Sequence, residues 1–203
     1  MSGPEREFEK QVEANRPFTR NAVYFGWLFE AGLVGVAFGL GWLLNESPLT
    51  TMKWDLAGLG LGIAATGPML LGLVVLTWLP IPALRRMTHL FDEIGRPFFT
   101  PYTILDLGVL SLLTGFGEEM LFRGVIQGAV AHKFGIWVAL AGASVLFGLM
   151  HALTPTYVLL ATLAGLYLGG VWVVTENLLV VVVAHALYDF LALVYLLRVK
   201  TSG

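Results

Sequence analysis

Long apolar stretches are the feature of this sequence that most limits the folds open to it. Hydrophobic residues make up 57% of the 203 residues, and only 13% are charged. A helix needs about 20 apolar residues to cross the hydrocarbon core of a bilayer, and the sequence contains roughly six such windows. Because lipid offers the backbone no hydrogen-bond partners, a spanning segment of this length is a helix. The sequence therefore predicts an all-α fold, a polytopic transmembrane bundle of about six helices.

The interruptions between these windows divide the chain into two parts. Residues 1–20 are polar and mixed in charge, and we expect a cytoplasmic N-terminal segment whose short helix ends near Pro17. Residues 21–199 are expected to form a single transmembrane domain. Its six predicted spans are 21–44, 57–79, 101–133, 136–153, 156–174 and 177–197.

A further helix is predicted between the second and third spans. Residues 83–94 place apolar side chains at helical spacing, with charged residues on the other faces. This pattern is typical of a helix that lies in the membrane interface. Gly95 and Pro97 are expected to end it.

The predicted span at 101–133 is too long to be one straight crossing. At about 1.5 Å per residue it reaches roughly 50 Å, whereas a hydrocarbon core is about 30 Å thick. Thr100 and Pro101 suit the N-cap and the first turn of this helix. We expect the helix to be tilted or broken, with the break at Gly115 and Gly117, just before an acidic pair.

Basic residues predict the orientation of the domain. Cytoplasmic loops of membrane proteins carry an excess of lysine and arginine. Most basic residues here lie in three groups: before the first span, after the second and after the last. If the chain crosses the membrane six times, all three groups lie on the same side of the membrane. We therefore expect both termini in the cytoplasm, most simply in the plasma membrane of a prokaryote. The residues concerned are Lys10, Arg16, Arg20, Arg85, Arg86, Arg96, Arg198 and Lys200.

Composition also excludes some partners and some chemistry. No basic tract indicates nucleic acid as a partner. The chain has no cysteine, which excludes disulfides, thiolate metal ligands and a cysteine nucleophile. The lipid bilayer is the partner that the composition implies.

Glycines recur four residues apart in several predicted spans. Small residues at this spacing let helices approach closely in lipid, so we expect these pairs at helix–helix contacts. They are Gly35 and Gly39, Gly58 and Gly62, Gly124 and Gly128, and Gly165 and Gly169.

Three charged residues, Glu118, Glu119 and Arg123, lie close together inside an apolar stretch. Charged side chains at membrane depth are costly and usually mark a functional site. On a helix, Glu119 and Arg123 share a face, whereas Glu118 points about 100° away. We expect Glu119 and Arg123 to neutralise each other, which leaves Glu118 free to act as a general acid or base. The alternative is an ion-pair network that only joins helices.

Two histidines and an aspartate are candidate partners for Glu118. His151 lies near the end of its span, and His185 lies well inside the last span, four residues before Asp189. Because residues four apart share a helix face, His185 and Asp189 can face one cavity. His89 and His132 fall in loop or interface regions, where a solvated histidine is the simpler interpretation.

If these side chains converge, two schemes of hydrolysis are open. In the first, Glu118, His151 and His185 bind a divalent metal such as zinc, which lowers the pKa of a bound water. In the second, Glu118 and His151 activate the water directly. His185 and Asp189 then stabilise the oxyanion. The spacing does not separate the schemes, and neither an HExxH nor a GxSxG motif is present.

Three motifs follow one another on hydrophobic segments: EExxxR at 118–123, FxxxH at 147–151 and HxxxD at 185–189. In this order they resemble the CPBP intramembrane protease family, which includes the CAAX prenyl proteases and bacterial bacteriocin-processing and abortive-infection proteins. The resemblance covers about residues 100–197. It implies a membrane-embedded cavity that hydrolyses a peptide bond of a peptide or membrane-protein substrate, prenylated or bacteriocin-like. It is compatible with a metallo- or a glutamate-dependent endopeptidase.

The resemblance also implies a role for each motif residue. Glu118 would activate a water with His151. Glu119 and Arg123 would hold the motif helix in place.

His185 and Asp189 would complete the site. The family often has asparagine where this chain has Asp189, and an ionised aspartate accepts hydrogen bonds but donates none. Asp189 is therefore better suited to orienting His185, or to binding a metal, than to stabilising an oxyanion.

Two other functions fit parts of the pattern. A non-catalytic immunity or scaffold protein can retain such motifs, but here every catalytic position is filled. A proton-coupled transporter can use Glu118, His151 and His185 as a relay, but transporters often have internal repeats and none is evident here. Glu30, in the first span, is either a helix-pairing carboxylate near the interface or a polar contact beside the cavity.

Overall fold

The backbone is helical through most of the part of the chain that the structure, a computed structural model, describes. That part is residues 3–199, and side chains are described from residue 21 to residue 198. No strand occurs among these residues, so the predicted all-α fold is confirmed. The helices are α1 (Gly3–Leu44), α2 (Leu56–Trp78), α3 (Pro82–Phe99), α4 (Ile104–Phe134), α5 (Ile136–Met150), α6 (Pro155–Thr175) and α7 (Leu178–Arg198).

Residues 3–199, which the structure describes, contain four or five candidate membrane spans, fewer than the six predicted. Four helices are long and apolar enough to cross: α1 from Asn21 onward, α2, α6 and α7. A fifth crossing results if α3 and α4, bent by 110° at a short break, count as one broken span. Helix α5 has 15 residues and reaches only about 22 Å. The predicted polytopic helical bundle is confirmed. It differs from the prediction in that α5 is short and α4 counts as a span only together with α3.

Two predicted helix ends are wrong. Helix α1 continues through Pro17 to Leu44, because a proline removes one backbone hydrogen bond while the neighbouring turns keep theirs. Helix α3 continues past Gly95 and Pro97 through a π-helical turn at Phe91–Gly95. Pro97 follows in the first turn of the next α-helical segment. Backbone N–H groups in a first turn have no hydrogen-bond partner within the helix, so a proline is tolerated there. The location of α3 in the interface stays a prediction.

The start of α4 is also later than predicted. Thr103, rather than Thr100, is its N-cap: the Thr103 hydroxyl accepts from the Asp106 N–H at 3.1 Å, and the Asp106 carboxylate accepts from the Thr103 N–H at 2.9 Å. This reciprocal capping box satisfies two amides that a helix start leaves unpaired. Pro101 therefore lies before the helix and not in its first turn.

The irregular part of α4 follows the acidic pair instead of preceding it. Residues Met120–Gln127 form π-helical turns, whereas Gly115 and Gly117 lie in regular helix and serve close packing. A Cβ added at Gly115 would stand 2.7 Å from the Ala186 backbone nitrogen, and one at Gly117 would stand 3.0 Å from the Glu30 carbonyl oxygen. These glycines let α7 and α1 approach the helix that carries Glu118.

Helix α7 is at the centre of the bundle. It packs against α2, α4 and α6, while α5 packs on α6 and α1 packs on α4. About half of its apolar span is buried inside the protein, against 11% for each of the spans in α1 and α2. Side chains on this central helix are therefore shielded by protein on several sides, which places His185 in the interior.

The glycine pairs differ in what they contact. Gly58 and Gly62 pack on α7, and Gly165 and Gly169 pack on α5 and α4, as predicted. Gly124 and Gly128 instead meet the link between α1 and α2. The prediction is wrong for Gly35 and Gly39, because an added Cβ would meet nothing within 4 Å at either position.

We expect Gly115→Ala to destabilise the protein by about 1–3 kcal/mol, because the added methyl group would overlap the backbone of Ala186 and force α4 and α7 apart. Unfolding by denaturant in detergent measures this change. Gly108→Ala is the matched control on the same helix, since its Cβ would lie 3.8 Å from Phe190, an ordinary contact. Equal stability of the two variants would contradict the expected close packing of α4 on α7.

Candidate active site

Glu119 and Arg123 form the ion pair that their helical spacing predicts. Arg123 Nη1 donates to Glu119 Oε1 at 2.8 Å, and both side chains are almost completely buried. Arg123 Nη2 donates to the Gly165 carbonyl at 3.0 Å, which ties α4 to α6. The guanidinium carbon lies 4.8 Å from the centre of the Phe147 ring. The pair therefore fixes the motif helix against two neighbours, and each buried charge has a partner.

His185 is held between carboxylates. Its Nδ1 lies 2.7 Å from Glu119 Oε1, a contact between α4 and α7 that helical spacing does not predict. Its Nε2 lies 3.4 Å from Asp189 Oδ2 and 3.9 Å from Glu118 Oε2. Both ring nitrogens thus face negatively charged groups, and Asp189 lies where it can orient the ring.

Glu118 faces the two histidines. Its Oε1 lies 3.7 Å from His151 Nε2, on the opposite side of the carboxylate from His185. Its Oε2 is buried and has no hydrogen-bond partner among the described residues. A buried carboxylate oxygen without a donor is costly, which favours the binding of a polar group at this point.

The hydrogen bond of His151 determines its tautomer. His151 ends α5, and its Nδ1 lies 2.8 Å from the Phe147 carbonyl oxygen. Because a carbonyl only accepts, Nδ1 carries the proton. In the neutral ring, Nε2 therefore has a lone pair directed to the side of Glu118. About a quarter of the His151 side chain is exposed, so this edge of the site is open.

Phe147 connects the parts of the site, although the sequence assigned it no role beyond its place in a motif. Its ring centre lies 4.6 Å from that of His151, 5.9 Å from that of His185 and 5.0 Å from that of Phe122. Phe147 therefore packs against both histidines and against the Arg123 guanidinium. The motif phenylalanine thus packs between the two motif histidines.

Three residues near the site were missed or left open by sequence reasoning. Tyr157 places its ring 6.0 Å from His151 and interacts electrostatically with Glu118 and Asp189. Tyr188 interacts with Asp189 and with Tyr157. Both tyrosines lie in apolar segments, and nothing in the surrounding sequence distinguishes them from aromatic residues that only pack.

Glu30, the third of these residues, lies beside the site. Its carboxylate lies near Thr114, one turn before Glu118, and interacts electrostatically with Glu118 and Asp189. Of its two interpretations, the polar contact beside the cavity is the one that the structure supports. His89 and His132 are exposed, as predicted, and His132 pairs with Glu46 at 2.5 Å.

The predicted metal ligands do not fit a metal ion as they are arranged. Among the residues that the structure describes, no group of three or more histidine, aspartate or glutamate side chains is placed to hold one.

Comparison with known proteins identifies similar sequences. A family model described as type II CAAX prenyl endopeptidase Rce1-like matches residues 100–191. The uncharacterized protein YpbD of Bacillus subtilis (strain 168) is 32% identical over 168 residues, which cover 77% of this chain and 80% of that protein. No solved structure gives a significant match. The residues that match the family model include all three motifs.

Proposed function

This chain belongs to the CPBP/CAAX protease family, and from that premise we propose that it hydrolyses a peptide bond with a water activated by Glu118 and His151. The observation that carries the proposal is the pairing of a buried carboxylate with an imidazole lone pair. Their separation of 3.7 Å is too long for a direct hydrogen bond. It is short enough for both groups to contact one water.

In the proposed reaction, both groups accept hydrogen bonds from the water and so direct its lone pair toward the substrate. Glu118 takes a proton from the water, whose oxygen bonds to the carbonyl carbon of the scissile peptide. The carbon–nitrogen bond then breaks, and the proton held by Glu118 moves to the departing nitrogen. The products are a carboxylic acid and an amine.

The buried neighbours act as positioning residues in this scheme. Arg123 holds Glu119 in place, and Glu119 holds His185 through Nδ1. Asp189 faces the other nitrogen of the same ring. The imidazole of His185 therefore keeps one orientation beside Glu118, which preorganises the site.

A zinc-dependent scheme is the alternative for water activation. Glu118, His151 and His185 would be its ligands, after their side chains move into positions that can hold the ion. The metal content of the purified protein, together with the effect of a chelator on cleavage, distinguishes the two schemes.

The protein is an integral membrane protein of a protease family, and its substrate is a peptide or protein at the membrane. We propose a substrate whose cleavage site enters the partly open edge between His151 and Asp189, which are 24% and 26% exposed. Prenylated and bacteriocin-like chains are the candidate classes. The proposed location is a prokaryotic plasma membrane, with both termini in the cytoplasm.

Replacement of the wild-type protein by Glu118→Gln in cells tests the function and does not require an identified substrate. New N-termini in the membrane fraction are compared by mass spectrometry between cells that carry either form. We expect a set of cleavage sites that is present with the wild type and absent with the variant. Glu93→Gln, at an exposed position of α3, is the matched control. Identical sets of termini in all three strains would indicate a non-catalytic protein.

A further inference from the structure

We propose that the Tyr157 hydroxyl donates the hydrogen bond that stabilises the oxyanion during peptide hydrolysis. The inference rests on the proposed function and adds a residue that lies in none of the three motifs. The inference depends on which hydrogen-bond donor near Glu118 is free to bind the oxyanion.

The reaction requires a donor. When water adds to the scissile carbonyl, the carbonyl oxygen becomes an oxyanion, which enzymes stabilise with donors about 2.7–3.1 Å away. The site contains three carboxylates, those of Glu118, Glu119 and Asp189. Carboxylates accept hydrogen bonds and repel new negative charge, so the oxyanion needs a donor from another group.

His185 is already engaged. Its Nδ1 contacts Glu119 Oε1 at 2.7 Å, and its Nε2 lies 3.4 Å from Asp189 Oδ2. If both nitrogens carry protons, both donate to a carboxylate that competes with the oxyanion. His185 therefore has no uncommitted N–H group for the oxyanion.

His151 and Arg123 are engaged as well. His151 uses its Nδ1 proton on the Phe147 carbonyl, and its Nε2 is the acceptor that orients the water. Arg123 is buried and donates from Nη1 to Glu119 and from Nη2 to Gly165. Neither residue has a donor directed at the substrate carbonyl.

Tyr157 places a phenol, which carries an O–H donor, beside His151. It is the third residue of α6, and its backbone N–H donates to the Thr154 hydroxyl at 3.1 Å, which fixes the first turn of the helix. Its ring stands at 71° to that of His151, with 6.0 Å between centres. It interacts electrostatically with both Asp189 and Glu118, and its side chain is only half-buried. The phenol thus borders the same open edge as His151.

Tyr188 is the competing hydroxyl, and its surroundings favour it less. It interacts electrostatically with Asp189 and Tyr157, but no ring contact with His151 is found among the described residues. Tyr157 is therefore the tyrosine whose ring contacts His151, one of the two groups proposed to activate the water. Tyr188 serves as the matched control.

The proposed step conserves protons and electrons. The water oxygen bonds to the carbonyl carbon, the π electrons of the carbonyl move to its oxygen, and Glu118 takes one water proton. Tyr157 keeps its own proton and shares it in a hydrogen bond with the oxyanion. When the carbonyl re-forms, the carbon–nitrogen bond breaks and the nitrogen takes the proton from Glu118.

Tyr157→Phe tests the inference, because it removes the hydroxyl and keeps the ring against His151. The probe is a synthetic peptide that spans a cleavage site found in the comparison of N-termini, assayed with the full-length protein in lipid vesicles. We expect kcat to fall about 10²- to 10³-fold, the usual effect of losing one oxyanion donor. KM should change less than about threefold, because the oxyanion exists only in the transition state. Tyr188→Phe should keep kcat within about threefold of the wild type.

Three outcomes overturn the inference: Tyr157→Phe with wild-type kcat, a loss confined to KM, or a larger loss for Tyr188→Phe. The thermal unfolding midpoint of each variant is measured in parallel, and Tyr157→Met replaces Tyr157→Phe if the latter fails to fold. Failure of the proposed function gives a different result, since no Glu118-dependent cleavage site would then be found with the wild-type protein.

Discussion

Cleavage by the purified protein in lipid vesicles is expected to fall by roughly 10²- to 10⁴-fold when Glu118 is replaced by glutamine, the range for loss of a general acid–base group. Glutamine keeps the size of the side chain but does not take a proton from water. His151→Ala is expected to cause a loss of similar order, because it removes the lone pair that faces Glu118 at 3.7 Å. Initial rates on the synthetic peptide that spans a cleavage site measure both changes.

Two control variants separate loss of chemistry from loss of fold. Glu93→Gln and His132→Ala change the same residue types at exposed positions and should retain wild-type rates. The Glu118 and His151 variants should keep the thermal unfolding midpoint and the membrane insertion of the wild type. Full activity of either variant would refute the proposed activation of water.

The largest effect on stability is expected for Arg123→Leu, at about 3–5 kcal/mol, the usual result of removing one partner from a buried ion pair. The change leaves Glu119, which is 0% exposed, without its arginine partner, and it also removes the hydrogen bond to Gly165. Unfolding by denaturant in detergent measures the difference. Cleavage should fall as well, because Glu119 then no longer holds His185 firmly.

A double variant and a surface control test this explanation. Arg123→Leu combined with Glu119→Gln should be more stable than Arg123→Leu alone, since no uncompensated charge remains at position 119. Arg85→Leu, at an exposed position of α3, should change stability by less than about 0.5 kcal/mol. If Arg123→Leu behaved like Arg85→Leu, the ion pair would have no structural role.

Periodicity within single helices accounts for the parts of the site that the sequence predicted. The pairs Glu119–Arg123 and His185–Asp189 are each four residues apart, and in both cases the side chains meet. These contacts depend on helix geometry alone. The divergence of Glu118 from Glu119 follows from the same geometry, so the acidic pair was correctly divided into a paired and an unpaired carboxylate.

Helix ends and span lengths were predicted less well, because they depend on competition between nearby signals. Pro17 was expected to end a helix that continues, and Thr100 was expected to cap a helix that begins after Thr103. Proline does disfavour helix and threonine does favour an N-cap. At Pro17, however, the hydrogen bonds of the neighbouring turns keep the helix intact, and after Thr100 the capping box of Thr103 and Asp106 sets the helix start. The π-helical turns at Met120–Gln127 had no counterpart in the sequence pattern.

By itself, the sequence determined that the chain is a helical membrane bundle, and it identified the charged residues at the site, because apolar length and the free-energy cost of buried charge are properties of local sequence. Only the tertiary structure decided which helices supply partners to one another. Three contacts join residues of different helices. They are Glu119 with His185, Gly115 with Ala186, and Tyr157 with His151. Such contacts depend on how helices pack, and helical spacing carries no information about the neighbouring helix.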